Sequence, residues 1–560
     1  MENKIIARKF KLLSQLMELH GENPFKTKAI ANASFKLDKL PFKITDKTES
    51  ELSAEQGIGK STANKVWELL DTGSIAELDT LLAQTPEGIL EMLTIKGLGP
   101  KKIIVIWQTL GIETLGELYY ACNENRLVEA KGFGLKTQDE IKKAIEFNMA
   151  SQGFFLYAQA EKTANHIYEQ IKEALNPQIL LSHTGDFRRR SEVLRKLQFI
   201  TTASIPELIT IVERNDQLIQ FDQVGNMLQT VHESGLAIDF ILTDQEHFSA
   251  HLLLTTGNEA HVESLQQRFG GALPLAASEK DIYQMANLDF IEPELREGTD
   301  EISRAHTHTL PNLVHYSDLK GSLHNHSTWS DGVHSLEQMA VYCKDTLQLT
   351  YLGICDHSKT AVYANGLKED RVLQQWQEID RLNQKLAPFK IFKGIESDIL
   401  GDGSLDYTDD ILQGFDFVVA SVHANLKMDE EKATIRLIKA IENPYTTILG
   451  HPTGRLLLSR NGYPIDYKKV IDACAANSVV IEINANPLRL DLDWRWHRYA
   501  LDKGVFLSIN PDAHRTEGFN DMYYGTLIGR KGGLEASQCL NCLTLEQIEN
   551  YFLSRRAAIK

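Results

Sequence analysis

The sequence predicts a multidomain protein with an all-α N-terminal part and a C-terminal parallel α/β barrel of seven units. Residues 1 to about 150 show helical apolar spacing interrupted by three similar glycine turns, whereas from about residue 320 short β-rich apolar runs alternate with helical segments. The length of 560 residues suits three or four domains, each large enough to bury its own core.

Composition restricts the class of protein further. The chain is 42% hydrophobic and 24% charged, which is typical of a soluble globular protein. No apolar run reaches the roughly 18 residues that a membrane span needs, and the N-terminus lacks the apolar core of a signal peptide. We therefore expect a cytoplasmic protein without a membrane partner, and a monomer. Six scattered cysteines indicate reduced thiols, and the lone Cys539-x-x-Cys542 pair is better explained by chance than by zinc.

The three glycine turns predict contacts with phosphate. Each has the pattern glycine, apolar residue, glycine, followed by a lysine, serine or threonine. Two glycines permit a tight turn that presents backbone N–H groups at a helix N-terminus, where a phosphate is favoured. A single copy would more often be a plain turn, but three copies resemble helix-hairpin-helix modules, a resemblance that implies contacts with DNA phosphates. The expected DNA-binding residues here are Gly57, Gly59, Lys60, Lys65, Gly97, Gly99, Lys101, Lys102, Gly132 and Gly134. Because the net charge is −17, binding of DNA should be local and independent of base sequence.

These turns resemble helix-hairpin-helix modules, and together with the stretch 21–25 (Gly-Glu-Asn-Pro-Phe) they resemble the N-terminal domains of bacterial family X DNA polymerases. The resemblance implies an 8-kDa-like helix-hairpin-helix domain at 1–90, a fingers-like helix-hairpin-helix domain at 91–150, and an α+β nucleotidyltransferase-like palm and thumb at 151–315. Lys65 corresponds to a lysine that in some members performs 5′-deoxyribose-phosphate lyase chemistry. A phosphate contact or an exposed helix position are the alternative interpretations of Lys65.

The expected palm departs from that family at its active site. The family has a serine before paired arginines, an Asp-x-Asp on one strand and a third aspartate on a later strand; here the matching positions hold Asp186, Lys196, Gln198 and Asp239. Transfer of a nucleotide by two metals needs carboxylates that hold both ions, and a lysine and an amide do not supply them. We therefore expect a degenerate polymerase site at Lys196, Gln198 and Asp239.

Arginines remain near this position, with Arg188 and Arg189 followed by Arg190 and Arg195. They are expected to hold DNA or to position the neighbouring domain, and a solvated basic face is the alternative.

Chemistry is expected in the C-terminal part. Six of its seven apolar runs end in His, Asp or Glu, and in parallel barrels the reactive groups lie at the carboxyl ends of strands. An isolated His-x-His would more often be a surface pair, but the joint pattern indicates a metal centre. Mixed His and carboxylate ligands suit zinc, manganese or iron, and the number of ligands is best explained by three divalent metals. The candidate ligands are His324, His326, Asp331, His357, Glu396, His423, His451, Asp512 and His514.

These motifs resemble the polymerase-and-histidinol-phosphatase (PHP) domain over residues 320–560, in the version fused to bacterial family X polymerases. The resemblance implies a trinuclear site with a (β/α)7 barrel. One metal would be held by His324, His326, Glu396 and Asp512, the second by Glu396, His423 and His451, and the third by Asp331, His357 and His514.

The leading hypothesis is a metal-dependent phosphodiesterase acting on DNA, a 3′–5′ exonuclease or 3′-end-processing repair enzyme, with an inactive polymerase centre. Arg455 and Lys359 follow metal-ligand motifs and are candidates for binding the phosphate, with ordinary surface roles as the alternative. Three other functions stay open: a phosphatase for a small phosphomonoester, a non-catalytic DNA-binding scaffold, and a polymerase with residual activity.

Overall fold

A computed structural model describes residues 2–95, 97–128, 130, 132–151 and 153–559. These residues form two compact units, one from the ranges 1–122 and 127–145 and the other from 123–126 and 146–560. Among the described residues, no helix is both long and apolar enough to cross a membrane.

The first unit is helical, as predicted. Its core is made by apolar side chains at helical spacing, such as Phe10, Leu13 and Leu16 on the first helix and Val66 and Leu69 on the fourth. The helices are α1 (Asn3–Leu19), α2 (Pro24–Lys39), α3 (Glu49–Ser53), α4 (Lys60–Thr72), α5 (Ala76–Gln84), α6 (Glu87–Met92), α7 (Pro100–Ile104), α8 (Leu115–Asn123) and α9 (Leu135–Ser151).

The second unit begins with a mixed sheet that matches the predicted palm. Its strand order is β2-β4-β7-β6-β5, with β4 and β7 parallel and the other pairs antiparallel. The strands are β1 (Phe155–Leu156), β2 (Leu181–Thr184), β3 (Val193–Leu194), β4 (Lys196–Thr201), β5 (Leu218–Val224), β6 (Met227–His232) and β7 (Ala237–Leu242), and the helices are α10 (Tyr157–Ala174), α11 (Gly185–Arg188), α12 (Ile205–Glu213), α13 (Phe248–Thr256), α14 (Glu259–Arg268), α15 (Glu279–Met285) and α16 (Glu301–His306).

The barrel contains seven strands within the continuously described stretch 153–559, all parallel and in chain order. A parallel bridge between Asn325 and Ala513 joins the segments that follow the first and last strands, so the sheet is nearly closed. This confirms the predicted seven-unit α/β barrel. The strands are β8 (Gly321–Ser322), β9 (Tyr351–Ile354), β10 (Lys390–Asp398), β11 (Phe417–Ser421), β12 (Ile448–Leu449), β13 (Val480–Asn484) and β14 (Leu507–Asn510).

Helices cover the outside of the barrel, and the last one closes its amino-terminal end. Phe552 stacks on Phe417 at the start of β11, with ring centroids 5.0 Å apart, and meets Phe392 edge-on. The amino-terminal end of the barrel is therefore closed by aromatic side chains. The helices are α17 (Leu336–Val341), α18 (Glu369–Leu386), α19 (Asp409–Leu412), α20 (Glu430–Ile441), α21 (Tyr467–Ala476), α22 (His497–Asp502), α23 (Met522–Lys531) and α24 (Leu545–Ala557).

Asn541 bridges the first and last strands of the barrel. It is fully buried, its amide nitrogen donates to the Gly321 carbonyl at 3.1 Å, and its oxygen accepts from the Ile509 N–H at 2.7 Å. Both backbone groups are satisfied by this one side chain.

We expect Asn541→Ala to destabilise the barrel by about 2–4 kcal/mol, because it leaves buried backbone groups without hydrogen bonds. The urea midpoint of tryptophan fluorescence measures the change, since four of the six tryptophans lie in the barrel sequence. Asn477→Ala, which removes an exposed amide at the end of α21, is the matched control and should stay within about 0.5 kcal/mol of the parent. Equal midpoints for the two variants would contradict the bridging role.

Candidate metal centre

The predicted ligands lie together at the carboxyl ends of the barrel strands. Seven of them follow a strand within four residues, Glu396 lies near the end of β10, and Asp331 belongs to the loop after β8, so the parallel sheet brings them to one mouth. All nine are buried or nearly so. The clusters whose ligand atoms lie within 4.8 Å of one another are His326 with Asp331, His357 and His514; His324 with His326 and Asp512; and His357 with Glu396 and His423.

Glu396 is the centre of this arrangement, since five histidine rings approach its carboxylate. The His324 and His326 Nε2 atoms lie 3.3 and 3.6 Å from its oxygens, and the His357 Nδ1 atom lies 3.0 Å away. The Nε2 atoms of His423 and His451 lie 3.1 and 3.0 Å from Oε1, the oxygen that His324 also approaches.

Asp512 and Asp331 supply the remaining carboxylates. The His326 Nε2 atom lies 3.0 Å from Asp512 Oδ1, and the His514 Nε2 atom lies 3.4 Å from Asp331 Oδ1. The His357 Nε2 atom is 3.6 Å from Asp331 Oδ2, so the His357 ring lies between Asp331 and Glu396. The structure thus brings all nine predicted residues together, while their assignment to individual metals stays a prediction.

The unsatisfied atoms of the cluster fit a cation. In the part of the chain that the structure describes, buried ligand atoms on seven of these side chains make no hydrogen bond, although buried polar atoms normally do. Imidazole nitrogens and carboxylate oxygens in a mixed set suit zinc, manganese or iron. The atoms are His324 Nε2, His326 Nδ1 and Nε2, Asp331 Oδ2, His357 Nδ1, Glu396 Oε2, His451 Nδ1 and His514 Nε2.

The charges of the centre are coupled. Burial alone would raise the pKa of Glu396, but His423, His324 and His357 outweigh it and hold that pKa well below the usual value. Burial lowers the pKa of His514, yet the Asp331 carboxylate raises it to about 10. A proton on His514 thus balances Asp331, whereas burial lowers the pKa of His326 to about 3. A metal would compete with such protons for the ring nitrogens, so metal binding would release them.

Backbone strain also marks the site. His451 and Asp512 have φ values of 23° and 54°, in the left-handed region that residues other than glycine rarely adopt. Such conformations persist where the surroundings impose them, and they cluster at functional sites.

The sequence missed the carboxylates that support the ligands. Glu482 Oε1 lies 2.7 Å from His324 Nδ1, Asp398 Oδ1 lies 2.5 Å from His423 Nδ1, and Asp356 accepts hydrogen bonds from Ser327 and Ser330. For Glu482 a signal was available: alternation along β13 puts it on the same face as Val480, whose side chain lies in the barrel interior.

The two candidate phosphate-binding cations have other partners. Arg455 donates to Asp493 Oδ2 at 2.5 Å and to the carbonyls of Arg489 and Leu490, and Lys359 lies 2.7 Å from Glu369 Oε1. Their roles at the phosphate stay predictions.

In the palm, the three positions of the expected polymerase site lie on neighbouring parallel strands. Gln198 pairs with Asp239 across β4 and β7, and the Lys196 ammonium lies 2.7 Å from Asp239 Oδ2. Gln229 donates to the other Asp239 oxygen at 3.2 Å. The one carboxylate of this set is therefore paired with a lysine and an amide.

Arg188 and Arg189 are tied to carboxylates in the structure. The Arg188 guanidinium lies 2.9 and 2.6 Å from the two oxygens of Glu279. Arg189 pairs with Glu297 at 3.0 Å and with Asp186. Their predicted contact with DNA would require these pairs to open or the phosphate to bind beside them.

The three glycine turns have one common geometry. The first glycines, Gly57, Gly97 and Gly132, have φ values of 88°, 93° and 92°, and Gly59 and Gly99 are the N-cap residues of α4 and α7. The apolar residues Ile58 and Leu98 are buried. Gly134 immediately precedes α9 in the same way.

Lysines after the turns differ in their surroundings. Lys60 and Lys101 are exposed, whereas Lys102 donates to the Gly97 carbonyl at 3.1 Å. Lys65 lies 2.7 Å from Glu77 Oε2, and Lys26 lies 2.5 Å from the other oxygen of Glu77.

Comparisons with known proteins agree with both parts of the chain. A helix-hairpin-helix domain family matches residues 1–75, and a SAM-like helix-hairpin-helix tandem family matches 89–146. The chain is 33% identical over 577 residues to a DNA polymerase/3′-5′ exonuclease PolX of Bacillus subtilis, covering 98% of this chain and 99% of the relative. Shorter matches include a probable phosphatase of Caldanaerobacter subterraneus, 37% identical over 18% of this chain and 39% of the relative. A probable phosphatase of a Thermoanaerobacter species is 38% identical over 24% of this chain and 56% of the relative.

Proposed function

The chain belongs to the bacterial family X DNA polymerases, and we propose that its C-terminal metal centre is a phosphodiesterase that trims or cleans the 3′ ends of DNA. One observation carries the proposal: nine buried or nearly buried His, Asp and Glu side chains from six strand ends, Glu396 among them, converge at one mouth of the barrel, with several ligand atoms unsatisfied. The relative from Bacillus subtilis is named a 3′-5′ exonuclease as well as a polymerase, which supports the same reaction.

The metals and the residues of the barrel would have distinct roles in this reaction. Divalent metals bound by this set would supply a hydroxide from water near neutral pH and would neutralise negative charge on the phosphate. Glu396, which five histidine rings approach, would hold neighbouring ligand groups together. Asp398 and Glu482 orient the His423 and His324 rings through their Nδ1 atoms and leave the Nε2 atoms for a metal. The aromatic floor under the strands leaves the carboxyl-end mouth as the route for a phosphate.

The helix-hairpin-helix turns are the reason for proposing DNA as the substrate. Three turns of one geometry present backbone N–H groups at helix N-termini, and such groups bind phosphates without reading bases.

We expect the His324→Ala, His326→Ala double variant to lose at least about 1,000-fold in Mn²⁺-dependent shortening of DNA, about 4 kcal/mol of transition-state stabilisation, because two ligands leave the centre. Shortening of 5′-end-labelled single-stranded and nicked DNA measures it. His308→Ala, which removes an exposed histidine paired with Asp289, is the control and should match the parent. If the double variant degrades DNA as fast as the parent, the site is assigned wrongly.

A small phosphomonoester is the second candidate substrate, favoured by the matches to probable phosphatases over the barrel. The same metals and the same supporting carboxylates would serve it. Rates on a panel of phosphomonoesters, measured beside rates on DNA, separate the two. A purely structural metal site is disfavoured because nine ligands exceed the four of a closed structural site.

We propose that the palm is inactive as a polymerase. Lys196 puts a positive charge at 2.7 Å from Asp239, where two Mg²⁺ ions would need further carboxylates. Its expected role is to hold DNA or support the barrel; consistent with the latter, Arg495 after β13 pairs with Glu192 at 3.1 Å, and Lys531 of α23 donates to the Arg189 carbonyl at 2.9 Å.

Primer extension should be absent with both Mg²⁺ and Mn²⁺ on a gapped template. The His324→Ala, His326→Ala variant is the protein to use, since it leaves the primer intact while the palm is unchanged. Extension that disappears on adding Asp239→Asn would show instead that the palm is catalytic.

Lys60→Ala with Lys101→Ala should weaken binding to duplex DNA and make the slope of log affinity against log salt shallower by about two, since each lysine neutralises one phosphate. Fluorescence anisotropy at several salt concentrations gives both values. Lys503→Ala, near the amino-terminal end of β14 and thus opposite the metal centre, is the control. An unchanged slope in the double variant would remove these turns from the DNA interface.

A further inference from the structure

Glu482 is a fully buried carboxylate on β13 to which the sequence assigned no role. Both of its oxygens are hydrogen-bonded to residues of the metal centre. A buried carboxylate of this kind is costly unless it is fully compensated, so its position calls for a physical reason.

One oxygen fixes the ring of His324. Glu482 Oε1 lies 2.7 Å from His324 Nδ1, and a carboxylate has no proton to give at this position, so the ring nitrogen donates. In the neutral ring that can bind a metal, the other nitrogen, Nε2, then carries the lone pair, and it faces Glu396 at 3.3 Å and Asp512 at 3.6 Å.

The second oxygen holds the backbone at His451. Glu482 Oε2 accepts from the His451 N–H at 2.7 Å. This is the residue whose φ of 23° lies outside the regions that ordinary residues favour, so the hydrogen bond helps to maintain a strained conformation. The His451 ring in turn lies 3.0 Å from Glu396.

Two asparagines complete the surroundings of Glu482. Asn510 donates to Oε1 at 3.0 Å, and Asn484 donates to Oε2 at 3.3 Å. The Asn484 amide also donates to Asp512 at 3.1 Å, so the network extends to a third metal-centre residue.

Asp398 offers a contrast within the same centre. It bonds to one predicted ligand, His423, at 2.5 Å, and its other oxygen accepts from Thr360 at 2.7 Å. Glu482 instead contacts two predicted ligands, His324 and His451. Both rings lie beside Glu396, but the predicted assignment gives them to different metals.

We propose that Glu482 is a positioning residue that couples two parts of the metal centre, by fixing the His324 ring and the His451 backbone with one carboxylate. Its loss should weaken the binding of ions at both parts, whereas loss of Asp398 should weaken binding at the His423 part alone. The inference rests on the metal centre proposed above and does not depend on DNA being the substrate.

The experiment is a Mn²⁺ titration of the full-length parent, Glu482→Gln and Asp398→Asn, with free Mn²⁺ followed by electron paramagnetic resonance. In Glu482→Gln, an NH2 group replaces one oxygen and meets a donor at His324 or at His451, whichever way the amide is turned. The side chain is then displaced from both contacts, so we expect at least two of the bound ions to lose about 10–100-fold in affinity. Asp398→Asn should affect one ion. Visible absorption of the Co²⁺-loaded proteins is a second readout, because altered ligand geometry changes the spectrum while a general loss of stability does not.

Parent-like Mn²⁺ binding by Glu482→Gln, or the same number of weakened ions in both variants, would overturn the coupling while leaving the metal centre intact. A parent protein that binds no divalent ion would overturn the centre and the inference together. If Glu482→Gln does not fold, Glu482→Asp replaces it. That variant keeps the charge but is one methylene shorter, so it should lose one of the two contacts and weaken Mn²⁺ binding, and unchanged binding would again refute the proposal.

Discussion

The convergence of five histidine rings on the buried carboxylate of Glu396 is the interaction on which the rest of the barrel depends. Isolated charges in such a place are strongly unfavourable, so every carboxylate there must meet a positive or hydrogen-bonding partner. Parallel strands solve the problem because their carboxyl ends all open at one mouth. Phe552 and Phe417 close the opposite end, and Asn541 joins the first strand to the last.

The buried carboxylate of the palm also needs a positive or hydrogen-bonding partner, but it meets a different one. Asp239 is buried on β7, and no second carboxylate faces it from positions 196 and 198 of the described strand β4. The counter-charge comes from Lys196, whose ammonium lies 2.7 Å from Asp239, and this pair is the observation behind the proposal that the palm is inactive. Asp239 is thus paired with a lysine, which does not bind metals in such a site. The carboxylates of the barrel are paired with histidines, which can exchange a proton for a metal.

Much of this could be predicted from sequence, because the ligands of the barrel end apolar runs and a run with a polar end is visible in one dimension. Glu482 lies within its strand, and only the side-chain alternation along β13 would have pointed to it. The partners of Arg188 and Arg455 could not be predicted, for another reason. Glu279 lies 91 residues after Arg188, and Asp493 lies 38 residues after Arg455, so only the tertiary fold reveals that these cations are paired.

The pairing of cations also bears on how a chain with a net charge of −17 would hold DNA. Lys65, Arg188 and Arg189 are each engaged by a carboxylate, which reduces the positive charge available to a phosphate. The glycine turns do not have this weakness, because their backbone N–H groups at helix N-termini carry partial positive charge whatever the side chains do. With Ile58 and Leu98 buried beneath two of the turns, the loops are fixed before any phosphate arrives. Binding built this way follows the DNA backbone and ignores base sequence, which is what an enzyme for ends, nicks or gaps requires.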